Sequence, residues 1–242
     1  MIKSILEHIK VCVLGYKATS KSYINHLKKS GVLIGENIFI YRPMSTTIDL
    51  QNPHLLKIGN NVMMTGPVTI LTHDYSWSVL KNKYGVIAGN QNFVTIGNNV
   101  FIGWGATILA GTTIGDNVVI GANSVVKGNV NSNSVYAGNP ARYIMNIQEY
   151  FNKRVSKQLE EAVIYVLRYK ERFGVVPPIE KLDEYFFLFT SGDNKNYLKK
   201  YDYKLNLMMS YDKSIEYLLK NQPMFSCYDE FIKFCLNDEN NK

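Results

Sequence analysis

The sequence predicts a mainly β chain: a left-handed parallel β-helix with a short N-terminal helix before it and an α-helical C-terminal extension after it. Three observations predict this. In residues 94–130 (VTIGNNVFIGWGATILAGTTIGDNVVIGANSVVKGNV) an aliphatic residue returns at every sixth position: Ile96, Ile102, Ile108, Ile114, Ile120, Val126. Gly follows four of them, at 97, 103, 115 and 121. Past residue 146 the glycines nearly vanish, with only Gly174 and Gly192 left, and helical spacing takes over.

A period of six is neither helical nor that of a simple half-buried strand, so it is read as a repeat. Three hexads make an eighteen-residue coil, a triangular turn with one short strand per side. The recurring β-branched residue points inward and stacks on its counterpart in the next coil. Gly and Asn, which tolerate positive φ, turn the corners. One hexad cannot bury its aliphatic residue alone, so coils must stack.

In chain order, residues 1–30 form an N-terminal helical segment. Ile2, Ile5, Ile9, Val13 and Tyr16 make one face of a helix over 2–29 that breaks near Gly15. Six Lys against Glu7 give this segment +5 of the chain's +7. The face is expected to pack on the β-helix. A weaker reading is contact of the basic edge with an anionic membrane surface.

Residues 31–146 form the β-helix. Ile34 and Ile40 are in register, as are Ile58, Met64 and Ile70. Thr46 and Asn52 are poor core residues, so irregular structure is expected over 41–55. Residues 147–242 form the helical extension, with equal Lys/Arg and Asp/Glu, fifteen of each, and ten Tyr. A long helix is predicted over 148–173, ended by Gly174 and the Pro177-Pro178 pair. Shorter helices are predicted at 179–190, 211–221 and 225–236. This extension is expected to cap the open end of the coil stack.

Between Ile70 and Ile96 the register slips by a number that six does not divide. A loop, 71–95, is therefore extruded (LTHDYSWSVLKNKYGVIAGNQNF over 71–93), and such loops are usually functional. It holds His73, the only one of four His at such a junction. A neutral imidazole can take a proton near neutral pH. Asp74 follows it. Adjacent residues on an extended chain point apart, so Asp74 is as suited to a sugar hydroxyl as to orienting His73. Trp77 and Tyr84 suit a stacking platform for a ligand ring, or merely anchor the loop. Asp49 and Asn52, in the irregular coil, are candidates to face the acceptor pocket of a neighbouring copy. No Ser or Cys sits in a nucleophile-elbow pattern.

The hexads, the loop THDYSW and the block VIGANSVVKGNVNSNSVYAGNPARYI together resemble the hexapeptide-repeat acyltransferases. These include galactoside, maltose and xenobiotic O-acetyltransferases and the acetyltransferases of capsule and exopolysaccharide synthesis. The resemblance covers about residues 31–146. STTIDLQNPHLLKIGNNV and the tail PMFSCYDEFIKFCL are similar to the polysaccharide branch in particular.

The resemblance implies a homotrimer that binds acetyl-CoA as co-substrate between neighbouring prisms, with His73 as base and a sugar or glycan hydroxyl as acceptor. It places an oxyanion-stabilising backbone N–H at Gly103, Trp104 or Gly105. By register, Gly121 and Ala122 would meet the pantetheine arm, and Lys127 and Arg142 the CoA phosphates. Trp104 is bulkier than is usual for its corner, and the long tail departs from the simple sugar acetyltransferases.

The favoured activity is O-acetylation of a sugar in a cell-surface polysaccharide or its lipid-linked precursor. A drug- or small-molecule acetyltransferase on the same scaffold is the alternative, and a non-catalytic β-helix scaffold the third. No metal site is expected, since a catalytic zinc needs three ligands and only His54 is even remotely near His73. No nucleic-acid partner and no transmembrane segment are expected. Met1–Gly15 is broken by Lys3, Glu7, His8 and Lys10, so no signal peptide is expected. Cys12, Cys227 and Cys235 show no metal spacing. The expected location is the cytoplasm.

Overall fold

The structure, a computed structural model, describes residues 9–238. The chain divides into two compact units, Met1–Tyr150 and Phe151–Lys242.

The first unit is a parallel β-helix with three walls. The first wall stacks β1 (Leu33–Ile34), β4 (Leu56–Ile58), β9 (Val94–Ile96), β12 (Thr112–Ile114) and β15 (Asn129–Val130). The second stacks β2 (Ile38–Ile40), β5 (Val62–Met64), β10 (Val100–Ile102), β13 (Val118–Ile120) and β16 (Ser134–Ala137). The third stacks β3 (Thr47–Ile48), β6 (Thr69–Ile70), β11 (Thr107–Ile108) and β14 (Val125–Val126).

Neighbours in each wall are parallel and in register. Ile34 lies on Ile58, Ile58 on Ile96, Ile96 on Ile114 and Ile114 on Val130. The six aliphatic residues of the 94–130 repeat are all buried. Each such side chain contributes about 2 kcal/mol by leaving water. The last corner residue of the turn from first to second wall is Asn37, Asn61, Asn99, Asn117 or Asn133, each at a φ between 54° and 57°. Their side chains hydrogen-bond along the stack: Asn37 to Asn61, Asn99 to Asn117, Asn117 to Asn133.

The open N-terminal edge is covered by a helix, as an exposed ladder edge requires. Residues 9–14 are helical (α1), Gly15 breaks the helix at φ 74°, and α2 (Ser20–Lys29) restarts it from a Thr19 capping box. Tyr23 and Leu27 of α2 are buried in the β-helix core. The Ser20 hydroxyl accepts from the Ile40 N–H at 2.9 Å and the Tyr23 hydroxyl from the Ile48 N–H at 3.1 Å. These side chains stand in for a coil that is not there. Burial pushes the Tyr23 phenol up to about 12. Packing therefore comes from α2, whereas Ile9 and Val13 of the expected apolar face are exposed. Ile2 and Ile5 lie outside the described residues. At the other end β17 (Arg142–Asn146), which the sequence did not reveal, pairs antiparallel with β16.

The expected irregularity over 41–55 is corrected. Thr47–Ile48 forms a regular rung on Thr69–Ile70, and Thr46 and Asn52 are both buried. Two short 3-10 turns, Pro43–Ser45 and Pro53–Leu55, take up the extra residues. The extruded loop is also more ordered than expected. It holds a hairpin, β7 (His73–Asp74) with β8 (Asn90–Gln91), and a helix, α3 (Trp77–Tyr84).

The second unit is helical around its own core, which includes Ala162, Val166, Phe189, Tyr201, Phe231 and Cys235. The long helix α4 (Ile147–Phe173) starts at a reciprocal Asn146–Glu149 cap in the first unit. In place of one helix over 179–190 there are two 3-10 turns, Ile179–Leu182 and Phe186–Leu188. Helices α5 (Lys195–Lys200) and α6 (Asp202–Asn206) were not foreseen. Helices α7 (Tyr211–Lys220) and α8 (Tyr228–Asp238) fall where shorter helices were placed. Among the described residues no helix is long and apolar enough to cross a membrane.

Ile102→Ala is expected to lower the free energy of unfolding of the first unit by about 2–5 kcal/mol. Exposed Val79→Ala is expected to change it by less than about 0.5 kcal/mol. Chemical denaturation of both variants checks this.

Candidate active site

The candidate site is built where the third wall hands the chain to the extruded loop. Ile70 and Thr72 both point inward, as alternate residues on a strand do, and both are fully buried. The chain then leaves the prism as β7, with His73 opposite Gln91 and Asp74 opposite Asn90. The Asn92 N–H donates to the Thr72 carbonyl at 2.9 Å, closing the base of the loop.

One coil earlier the chain turns the same corner. The Asp49 N–H donates to the Ile70 carbonyl at 2.9 Å, which sets Asp49 beside Thr72 and His73. Its Oδ2 accepts from His73 Nδ1 at 2.5 Å, from the Thr72 hydroxyl at 2.5 Å and from the Thr72 N–H at 3.0 Å. Its Oδ1 accepts from the Gln51 N–H at 2.8 Å. Burial pushes this carboxyl up, but the bonds from Thr72, Gln51 and His73 outweigh it and hold the group below the usual carboxylate range. An ionised Asp49 can only accept, so His73 Nδ1 carries a proton, and in the neutral ring Nε2 keeps its lone pair. Nε2 has no partner among the described residues. The imidazole is mostly buried, its side chain 13% exposed. Tyr75 packs edge-on against it and donates to Gln51 at 2.7 Å.

The structure thus moves Asp49 from the acceptor pocket to the back of the His73 ring. Asp74 does not orient His73. It faces solvent, accepting from the Ser76 N–H at 2.9 Å and from the Asn90 amide at 2.5 Å. Those bonds hold its carboxyl below the usual range. Asn52 is buried near the same corner, and its amide nitrogen has no partner among the described residues. Trp77 is half-buried at the start of α3, edge-on to Tyr75, and Tyr84 at its end is exposed under Lys83.

The remaining candidates occupy corners. Gly103-Trp104-Gly105 and Gly121-Ala122 turn from the second wall to the third, on consecutive coils. The N–H groups of Gly103 and Gly105 are bound to the carbonyls of Ile120 and Pro67, which removes both as oxyanion donors. Those of Trp104 and Ala122 have no partner among the described residues. The coils meet closely here: a Cβ on Gly105, at φ +74°, would sit 2.0 Å from Asn123 Oδ1. Arg42 lies over the Trp104 ring at 4.9 Å. Arg142, exposed at the start of β17, follows the loop that closes this corner. Lys127 sits instead at the His73 corner, two rungs on. One chain therefore carries His73 and Trp104 on different corners. Among the described residues no three His, Cys, Asp or Glu could hold a metal ion.

Sequence reasoning missed the Asp49–His73 pair. The signal was the stacking of Ile48 on Ile70, which puts residue 49 level with residue 71.

Residues 93–128 match the family described as bacterial transferase hexapeptide (six repeats). The chain is 39% identical over 127 residues to protein CapG of Staphylococcus aureus, covering 52% of this chain and 73% of that one. It is 37% identical over 117 residues to galactoside O-acetyltransferase of Escherichia coli K12, covering 48% and 57%. It is 53% identical over 98 residues to WbbJ of Escherichia coli K12, a putative lipopolysaccharide biosynthesis O-acetyl transferase, covering 37% and 49%. The chain thus spans about half the length of the last two. The hexads of the prism are the repeats that this family describes. This chain belongs to that family, and its prism is the left-handed one.

Asp49 has a folded-state value below its unfolded 3.8. The stability it contributes is therefore present above 3.8 and is lost as pH falls through the folded value. The gap in urea midpoint between wild type and Asp49→Asn is expected to be widest near pH 7 and to shrink steadily below pH 3.8.

Proposed function

We propose that the chain is an acetyl-CoA-dependent O-acetyltransferase, acting as a homotrimer on a sugar hydroxyl of a surface glycan. The observation that carries this reading is the His73–Asp49 pair, held at 2.5 Å at the root of the extruded loop. It is a general base with its tautomer already set.

The acceptor hydroxyl gives its proton to His73 Nε2 as its oxygen attacks the thioester carbonyl. Asp49 stabilises the imidazolium that forms. The unpartnered N–H of Trp104 is suited to the oxyanion. As the tetrahedral intermediate collapses, the C–S bond breaks and the imidazolium returns the proton to the CoA sulfur. His73 and Trp104 lie on different corners of one prism, so the reading needs a second copy to bring a Trp104 corner to a His73 corner. The Trp104–Ala122 corner fits a pantetheine arm, with two free N–H donors and small residues at Gly121 and Ala122. Arg142 and Lys127 are exposed cations suited to phosphates.

The names of the relatives, a galactoside acetyltransferase and a lipopolysaccharide one, support a sugar acceptor. Trp77 and Tyr84 are the stacking surfaces for its ring, and Asp74 is the hydroxyl partner. Cysteines in no disulfide among the described residues, and use of acetyl-CoA, fit the cytoplasm.

Calorimetry of acetyl-CoA binding, paired with release of free CoA on adding sugar acceptors, tests the reading. His73→Ala is expected to bind acetyl-CoA as wild type does and to lose roughly 10²–10⁴ in turnover. If neither protein binds acetyl-CoA, the reading is wrong.

A further inference from the structure

Three buried hydroxyls of the prism share a habit that Thr72 does not follow. Thr112, Ser124 and Ser134 are each buried, and each donates to the carbonyl three residues before it: Leu109, Gly121 and Asn131. These hydroxyls satisfy the backbone of a tight corner. Thr72 is buried as deeply, yet its hydroxyl goes to a side chain, Asp49 Oδ2, at 2.5 Å.

Thr72 stands at an inward position that a Val would fill with the same shape. Packing therefore gives no reason for an oxygen there. The oxygen it binds is the one that His73 Nδ1 binds. The Thr72 N–H binds it too, and the Thr72 carbonyl takes the Asn92 N–H from the far leg of the loop. The residue is thus tied at its amide, its hydroxyl and its carbonyl. Its side chain cannot swing away without leaving a desolvated carboxylate short of a donor.

We propose that Thr72 is a positioning residue: its hydroxyl fixes the Asp49 carboxylate, and through it the ring plane and tautomer of His73. This rests on the acetyl-transfer reading above for its effect on turnover, but not for its effect on His73. With the hydroxyl in place, Oδ2 faces Nδ1 in one orientation. Without it Oδ2 keeps the Thr72 N–H and His73 Nδ1, and Oδ1 the Gln51 N–H, so the carboxylate is held by one donor fewer and rotates more readily. The imidazole then spends time off the acceptor line. Ground-state binding is untouched, since Thr72 is fully buried and faces no substrate.

Thr72→Val and Thr72→Ser, compared with wild type, test this. Steady-state kinetics would be measured alongside the proton NMR signal of His73 Nδ1–H, assigned by its loss in His73→Ala. Thermal melts would confirm that both variants are folded. Thr72→Val is expected to lose roughly tenfold in kcat, with both KM values within about twofold, and to shift or broaden the Nδ1–H signal. Thr72→Ser, which keeps the hydroxyl, is expected to recover most of kcat and the wild-type signal. If Thr72→Val keeps the wild-type signal, or if Thr72→Ser falls as far as Thr72→Val, the proposal is overturned. If wild type itself shows no acetyl transfer, the function reading fails and the NMR comparison alone decides the role of Thr72.

Discussion

Everything in the first unit depends on one side chain resting on another of the same kind, coil after coil. Ile34, Ile58, Ile96, Ile114 and Val130 form one such column. Ile48, Ile70, Ile108 and Val126 form another. The backbone ladders between coils satisfy the peptide groups, and the columns keep water out. Since the columns fix register, they also fix the corners. A corner residue in one coil has a determined neighbour in the next, whatever the connecting chain does. That is why Gly105, at positive φ and packed against Asn123, has no room for a side chain.

The insertion between Ile70 and Val94 shows how strict this is. Closing a loop of some twenty residues costs about 3 kcal/mol in chain entropy. The burial of one or two more Ile offsets it. Register resumes without error on the far side: Ile96 lies on Ile58 although 38 residues separate them. The hairpin β7–β8 and helix α3 shorten the part of the loop that is free to move.

The repeat made much of this legible in the sequence. The hexads from Ile96 to Val126 identify their own inward residues, and the break in period identifies the loop and His73. What stayed hidden came from reading side chains by type. Thr46 and Asn52 looked too polar for a core, so a regular rung at Thr47–Ile48 was missed, and with it the place of Asp49. A hydroxyl or amide can sit inside a prism where a turn or carboxylate gives it a partner, and sequence alone does not show the partner. The helical unit was less legible for a related reason. Its Tyr and Phe residues are spread without strong period, so 179–190 read as a helix where two 3-10 turns stand. Gly103 and Gly105 looked like oxyanion donors by position, yet their N–H groups are spent on the ladder. Only the hydrogen-bond pattern could separate Trp104 from its neighbours.

The short reach between Asp49 and His73 is set by coil spacing and not by the loop. The two residues come from consecutive turns of the prism, and Thr72 joins them before the chain departs. Everything beyond Asp74, through α3 to Asn90, hangs from a frame that is complete without it. On the proposed reading the base is thus held by the coils and much of the acceptor surface by the loop, with Tyr75 packed on His73 between them. On that reading a segment grafted between Tyr75 and Asn90 meets new acceptors while the Asp49–His73 pair keeps its place, so specificity on this scaffold can drift without passing through an inactive form.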